Sequence, residues 1–291
     1  MTDKIIRGIA RNGNIRFFVA KTTDLVEKAR ELHDTYPAAS AALGRLMSVS
    51  AIMALNLKGD DEKLVVEIRG DNELKHMLVD ADRNGSIRSI ISHPHVHQVN
   101  EATGKLDVGG IIGEGFLSVS YKLNGATTFS SQIELQTGEI GDDFAYYYAQ
   151  SEQIPSALSV GVLVNEDITI KSAGAILVQV MPNATEEDIV AIEDLFARLA
   201  PVSTIMIDHE ALEVATTLFD DAVILDSVDL KYHCGCNRDQ MRDVLNTLND
   251  DELQQLIDED NGATIICQYC GKQYAFSAEE LGEIINARKT N

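Results

Sequence analysis

The sequence predicts an α+β protein in three parts: an antiparallel-sheet-rich amino-terminal domain with interspersed helices over residues 1–181, a helical linker over 182–231, and a small cysteine-bearing domain over 232–291. Asn-Gly pairs recur between short apolar runs at Asn12-Gly13, Asn84-Gly85 and Asn124-Gly125, and such pairs favour the tight turns that join antiparallel strands. After Pro182 the apolar spacing becomes helical. All four cysteines, Cys234, Cys236, Cys267 and Cys270, sit in two close pairs near the carboxyl end.

KIIRGIARNGNIRFFVA reads as the first hairpin, and TTDLVEKARELH then sets Leu25, Val26, Ala29 and Leu32 on one helical face. SAALGRLMSVSAIMALNLKG, residues 40–59, is the longest apolar stretch. Arg45, three serines and Asn56 suit it to a buried helix rather than a membrane span. GGIIGEG, 109–115, reads as a glycine-rich turn before the strand GFLSVSYKL; it fails the GxGxxG spacing and no GK[ST] follows, so a phosphate cradle has no support. ALSVGVLVNEDITIKSAGAILVQVM reads as two strands about a turn at Asn165 to Asp167.

NATEEDIVAIEDLFARLA offers a helix cap at Asn183 or Thr185, acids in the first turn, and Ile189, Ile192, Leu195, Phe196 and Leu199 on one face. That face must be covered by something at rest and would form an apolar binding stripe if uncovered. HEALEVATTLFDD continues the helical pattern after Pro201, and the linker is expected to stay helical to about Lys231. Beyond it, helices are expected at 237–247 and 250–258 and a strand at QYAF.

The chain has 291 residues, 45% of them hydrophobic, enough for a packed globular protein of more than one unit. No basic segment followed by an unbroken apolar run opens it, so a cytoplasmic location is expected. The formal net charge is −22, from 46 acidic and 24 basic residues, which argues against a nucleic-acid surface and leaves no expected nucleic-acid or membrane partner. The charge is uneven: residues 182–291 hold 23 acidic and 7 basic side chains, a net of −16.

Thirty residues separate Cys236 from Cys267. Two cysteine pairs at such a distance suit a tetrahedral Zn²⁺, one per chain, whose sulfurs come from two chain excursions. Gly271 after Cys270 suits a knuckle, whereas a thioredoxin-type CxxC opens a helix. A permanent structural zinc is the simplest reading. The CxC pair adds another, because zinc-held thiolates are the form that oxidants attack, and disulfides Cys234–Cys236 and Cys267–Cys270 would each close locally. Four cysteines allow three pairings, and the residues alone do not choose among them. Zinc loss would cost a sixty-residue unit most of its folding free energy, so oxidation would be coupled to unfolding.

CxC, thirty residues, then CxxC resembles the redox-regulated heat-shock protein 33 chaperones, and GEIGDDFAYYYAQSEQIPSALSVGV at 138–162 is similar to that family's characteristic amino-domain stretch. AGAILVQVMPNA and HCGCNRDQMRDVLNTL extend the likeness to the end of the amino domain and the start of the cysteine domain. The resemblance implies a non-enzymatic, ATP-independent holdase with a metastable linker. Reduced and zinc-bound through Cys234, Cys236, Cys267 and Cys270, such a protein is idle. Oxidised, it loses zinc, forms the two local disulfides, dimerises and binds unfolding clients.

Other readings carry less. HPHVH places His93, His95 and His97 at alternate positions, but Pro94 favours a solvated loop over a metal site. His233 could compete as a ligand, yet four sulfurs already fill a tetrahedron. NDDELQQLIDED lacks the spacing of a calcium loop, and no ordered nucleophile, base and orienter supports hydrolysis. A zinc-ribbon regulatory or nucleic-acid module and a thiol-disulfide oxidoreductase stand as the alternative functions.

Overall fold

The Asn-Gly turns adopt the left-handed backbone their residues tolerate. Strands β1 (Lys4–Ala10) and β2 (Ile15–Lys21) are joined through Arg11, Asn12 and Gly13, all at positive φ. A computed structural model describes residues 2–289 of the chain. The chain divides into two compact units between His233 and Cys234.

In the first unit, α1 (Thr23–His33) buries Leu25, Val26 and Ala29, with Leu32 half-buried. Helix α2 (Pro37–Ala54) starts on a proline, whose missing N–H costs nothing there, and is buried almost all round. It is the one helix among the described residues long and apolar enough to cross a membrane; with 89% of it buried, it serves as the central core helix. Strands β3 (Glu62–Gly70), β4 (His76–Ala81) and β5 (Ser86–Ile91) follow, the last two joined through Asn84-Gly85. The first part of 109–115, expected as a glycine-rich turn, belongs to the short helix α3 (Val108–Ile112). The Asp107 carboxylate caps it by accepting from the Gly110 N–H at 2.9 Å.

Strands β6 (Gly115–Leu123) and β7 (Ala126–Glu134) pair across Asn124-Gly125. Helix α4 (Gly141–Tyr147) runs on into a π turn over Tyr148–Glu152. This stretch is organised by two carboxylates. Asp143 is fully buried and accepts backbone N–H bonds from Gln136, Thr137, Gly138 and Ile140. Glu152 accepts from the hydroxyl of Tyr147 at 3.1 Å. Together they set the turn that leads into β8 (Ser156–Val164), which pairs with β9 (Ile170–Val180) about the expected turn at Asn165.

The segment expected to be helical throughout 182–231 is helical only in its first part: α5 (Glu186–Arg198), α6 (Val202–Asp208) and α7 (Ala211–Leu218). It then becomes β10 (Val223–Asp229), which pairs antiparallel with β1, and β11 (Lys231–Tyr232), which pairs in parallel with β5. The reason is local and distant at once. VILDSVD alternates and is rich in branched residues, and β1 offers it an unpaired edge more than two hundred residues away. The first sheet therefore has the order β10-β1-β2-β9-β8 and the second β11-β5-β4-β3-β6-β7.

From Phe17 to Ala20 strand β2 is buried on both faces, which explains why FFVA is apolar without a break. Phe18 and Ala20 join a core with α1, α2 and the second sheet, while Ile15, Phe17 and Val19 face α5–α7. In the α5 stripe, Ile192 is buried and Ile189, Leu195, Phe196 and Leu199 are half-buried; the last three pack against that second core. Thr185, one of the two caps expected, closes a reciprocal capping box with Asp188. Asp188 also accepts from Arg11 and, at 2.8 Å, from Asn14, tying the start of α5 to the β1–β2 turn.

The second unit contains α8 (Arg238–Leu245), α9 (Asp250–Asp260), β12 (Gly262–Ile266), β13 (Gln273–Ser277) and α10 (Ala278–Lys289). Both expected helices and the strand at QYAF are present, and β12 and α10 are additions. The core is small: Leu245, Leu253, Tyr274, Phe276, Leu281, Ile284 and Ile285.

Candidate metal centre

Two chain excursions bring the four sulfurs together. Cys234 and Cys236 lie on the extended segment that enters α8, whose cap Asn237 accepts from the Gln240 N–H at 2.9 Å. Cys267 and Cys270 lie in the connection of the β12–β13 hairpin, just beyond its last pair, Ile266 with Gln273. The Cys267 N–H donates to Lys272 O at 3.0 Å, and the Gly271 N–H donates back to Cys267 O at 2.8 Å. Gly271 turns the chain at φ 70°, a conformation that a side chain would strain. The CxxC therefore forms a knuckle between strands and does not open a helix, as a thioredoxin-type pair does.

All four Sγ atoms lie within 4.8 Å of one another. Sulfurs of different pairs come close, Cys234 to Cys267 at 3.6 Å and Cys236 to Cys270 at 3.5 Å. Four sulfurs about 2.3 Å from one tetrahedral ion would stand about 3.8 Å apart, so the cluster fits a metal site, whereas a disulfide needs about 2.05 Å. The cysteines are free thiols. Cys267 is buried and the other three are half-buried, so the cluster is within reach of solvent.

The sulfurs polarise one another. Burial raises the Cys236 thiol, but hydrogen bonds from the Tyr274 hydroxyl and the neighbouring thiols outweigh it and bring Cys236 down to about 7. Burial, and then the bonds shared with the other three sulfurs, push Cys270 up to about 12. With protons alone, one sulfur ionises readily and another resists. A divalent cation held by Cys234, Cys236, Cys267 and Cys270 would supply the charge that lets all four be thiolates at neutral pH. The Tyr274 hydroxyl donates to Cys236 Sγ at 3.2 Å and to Cys236 O at 2.9 Å. In the sequence Tyr274 is only an aromatic residue of the QYAF strand, four positions past Cys270, and nothing there signals this bond.

The other expected candidates fall elsewhere. His93, His95 and His97 are exposed on a loop, and His95 Nε2 lies 2.9 Å from Asp34 Oδ2. His233 belongs to the first unit, where its backbone N–H donates to Ile87 O at 2.9 Å. Among the described residues, the four cysteines are the only group of three or more His, Cys, Asp or Glu side chains gathered closely enough for a metal. The α5 stripe lies in the first unit and the sulfurs in the second.

The sequence model of the family described as Hsp33 protein matches residues 3–277. A 33 kDa chaperonin of Acholeplasma laidlawii is 41% identical over 295 residues, covering 99% of this chain and all of that protein. One of Bacillus velezensis is 40% identical over 287 residues, covering 97% of this chain and 98% of its own. The crystal structure of the 33 kDa chaperonin (heat shock protein 33 homolog) of Thermotoga maritima superposes with a TM-score of 0.92 at 31% identity, covering the whole of both chains. The fold, the gathered cysteines and these full-length likenesses place the chain in the Hsp33 family, as a chaperone and not an enzyme.

Proposed function

We propose that this chain is an ATP-independent holdase gated by thiol oxidation, working in the cytoplasm on unfolding client proteins. The observation that carries the reading is the convergence of four sulfurs from two chain excursions within 4.8 Å, on a unit with a small core. Soft thiolate donors in a four-coordinate set suit Zn²⁺, one per chain, held by Cys234, Cys236, Cys267 and Cys270. Zinc, when bound, supplies folding free energy to the second unit and keeps its sulfurs in the thiolate form.

Peroxide then takes two electrons from Cys234 and Cys236 and two from Cys267 and Cys270. One S–S bond forms in each pair, and each peroxide, with two protons, becomes two waters. No thiolate is left to hold a cation. The short loops favour these local pairings, although sulfurs of different pairs also stand close in the folded unit, at 3.5 and 3.6 Å. Sulfurs at such distances must move together to reach the ~2.05 Å of a disulfide, and opening of the unit allows that. The segment 182–231 acts as a metastable linker whose release uncovers Ile189, Ile192, Leu195, Phe196 and Leu199, and the oxidised protein dimerises.

The test is to treat zinc-loaded protein with peroxide at mild heat, follow metal release with a chromogenic chelator, and measure light scattering from an aggregating client. Suppression only after oxidation is expected, with peptide mapping showing Cys234–Cys236 and Cys267–Cys270. Suppression by the reduced protein, or a dominant crosslink between the pairs, would overturn the respective part.

A further inference from the structure

We infer that the outer edge of β8 is a docking site for an extended backbone segment of an unfolding client, added as a further strand to the first sheet. The inference rests on the holdase reading above and gives it a site. Strand β8 ends the sheet, pairing with β9 on one side only. Among the described residues, no backbone hydrogen bond from β8 reaches any other strand or helix.

The direction of each free group follows from register. The Val180 N–H donates to Pro155 O, so positions 155 and 180 form a hydrogen-bonded pair. Antiparallel pairing alternates with period two, so Ala157, Ser159 and Gly161 spend their backbone groups on β9. Leu158, Val160 and Val162 aim theirs outward. The other edge of β9 agrees: the Met181 N–H donates to Asn14 O, which assigns the odd positions of β9 to β2 and the even ones to β8.

The free edge lies in a groove. A cavity of about 690 Å³ runs along residues 159–165, with Pro37, Arg45 and Leu106 among its lining and Val202 and Ser203 of α6 as well. Arg45 bonds Glu139 through one terminal nitrogen at 2.6 Å, while its Nε is buried without a partner. The other edges differ. Strand β10 carries Asp226 and Asp229, paired with Arg7 and Lys4, and β11 has two residues. Strand β7 exposes Thr127, Thr128, Ser130 and Gln132 beside Ala126 and Phe129, and ends on the charged Glu134. Strand β8 has nine residues, SALSVGVLV, with no charge and no proline, so it lacks the features that normally keep an edge from pairing. A groove of mixed apolar and polar lining with a row of unpaired N–H and C=O groups suits the one thing all unfolded clients share, an extended backbone, without regard to sequence. The wall formed by residues 201–204 belongs to the 182–231 segment, so its release would widen the groove.

The test uses the full oxidised chain and a synthetic peptide of alternating valine and threonine, alongside the same peptide N-methylated at alternate residues. Residue-resolved hydrogen exchange should show Val160 and Val162 newly protected by the first peptide, with Ser159 and Gly161 already protected before it is added. The methylated peptide and a Val160→Pro variant should each bind on the order of tenfold more weakly or worse, with metal content unchanged in the reduced variant. Client suppression with absent or non-alternating protection would overturn this inference alone. Concentration-dependent protection without peptide would assign the edge to a second copy of the chain and overturn the client. Loss of oxidation-dependent suppression altogether would overturn the holdase reading and this inference with it.

Discussion

The two units solve the problem of staying folded by different means. The first wraps α2 in residues from two sheets and covers the far side of β2 with a second apolar cluster, so its order rests on side-chain packing. The second has seven buried apolar side chains and four converging sulfurs. A chain that short rarely holds itself together without a staple. The contrast teaches where a switch can be placed. On the reading proposed above, chemistry at the sulfurs would unfold the second unit, and release of 182–231 would then uncover the far side of β2 while the core around α2 stays packed.

The sharpest way to break that contrast is to remove the metal. Chelation, or Cys267→Ser, should unfold residues 234–291 while the first unit keeps its cooperative melt, because metal binding in small zinc peptides is worth about 10–16 kcal/mol. Hydrogen exchange resolved along the chain checks it. If the second unit keeps its protection without metal, its core suffices and the switch cannot work through folding.

The next effect belongs to the first unit and to protons. Asp3 is buried, and that burial pushes its carboxyl up to about 7, even though the carboxylate accepts from the Leu25 N–H at 2.7 Å. Between the unfolded value near 3.8 and the folded value near 7, the folded state binds more proton, so stability falls as pH rises through that window. The loss is complete above pH 7 and absent below pH 4. Asp3→Asn keeps an acceptor for Leu25 and should recover up to about 4 kcal/mol above pH 7 and nothing at pH 4. Urea midpoints at both pH values decide it; equal gains at the two would mean that ionisation is not the cause.

These two predictions draw on parts of the molecule that were unequally legible in the sequence. The hairpins at the Asn-Gly pairs, the buried central helix, the cap at Thr185 and the four sulfurs were all readable, because each is a local pattern with a local cause. Strand β10 was not. Its alternation is visible in VILDSVD, but the edge of β1 that makes it a strand lies at the other end of the chain. Asp143 was equally hidden: an acid in DDF looks like helix-cap chemistry until four backbone N–H groups from the preceding turn are found pointing at it. The same holds at the candidate metal centre, where spacing named the candidate ligands and only the fold shows that sulfurs approach across pairs and that Tyr274 reaches Cys236.

That hydroxyl allows a finer test within the second unit. Tyr274→Phe keeps the ring in the small core and deletes the bond to Cys236 Sγ. Partners of metal ligands are typically worth roughly 10–100-fold in affinity. Competition against a chromogenic chelator should show that weakening, with little change in the fold of the metal-loaded protein. An unchanged affinity would make Tyr274 a packing residue only.

The smallest expected effect concerns charge. Residues 182–291 carry a net of −16, and the folded state holds those carboxylates nearer to one another than an opened chain does. Repulsion then favours opening, and salt, with a Debye length of about 8 Å at physiological ionic strength, screens it. Oxidation at constant temperature in rising sodium chloride should leave the rate of metal release unchanged, because that step is thiol chemistry. Unfolding of 182–231, followed separately by hydrogen exchange, should become slower or less complete. If unfolding is indifferent to salt, or is promoted by it, the acidic surface serves to keep client complexes soluble, and the difference between the two units rests on packing and sulfur chemistry without electrostatic help.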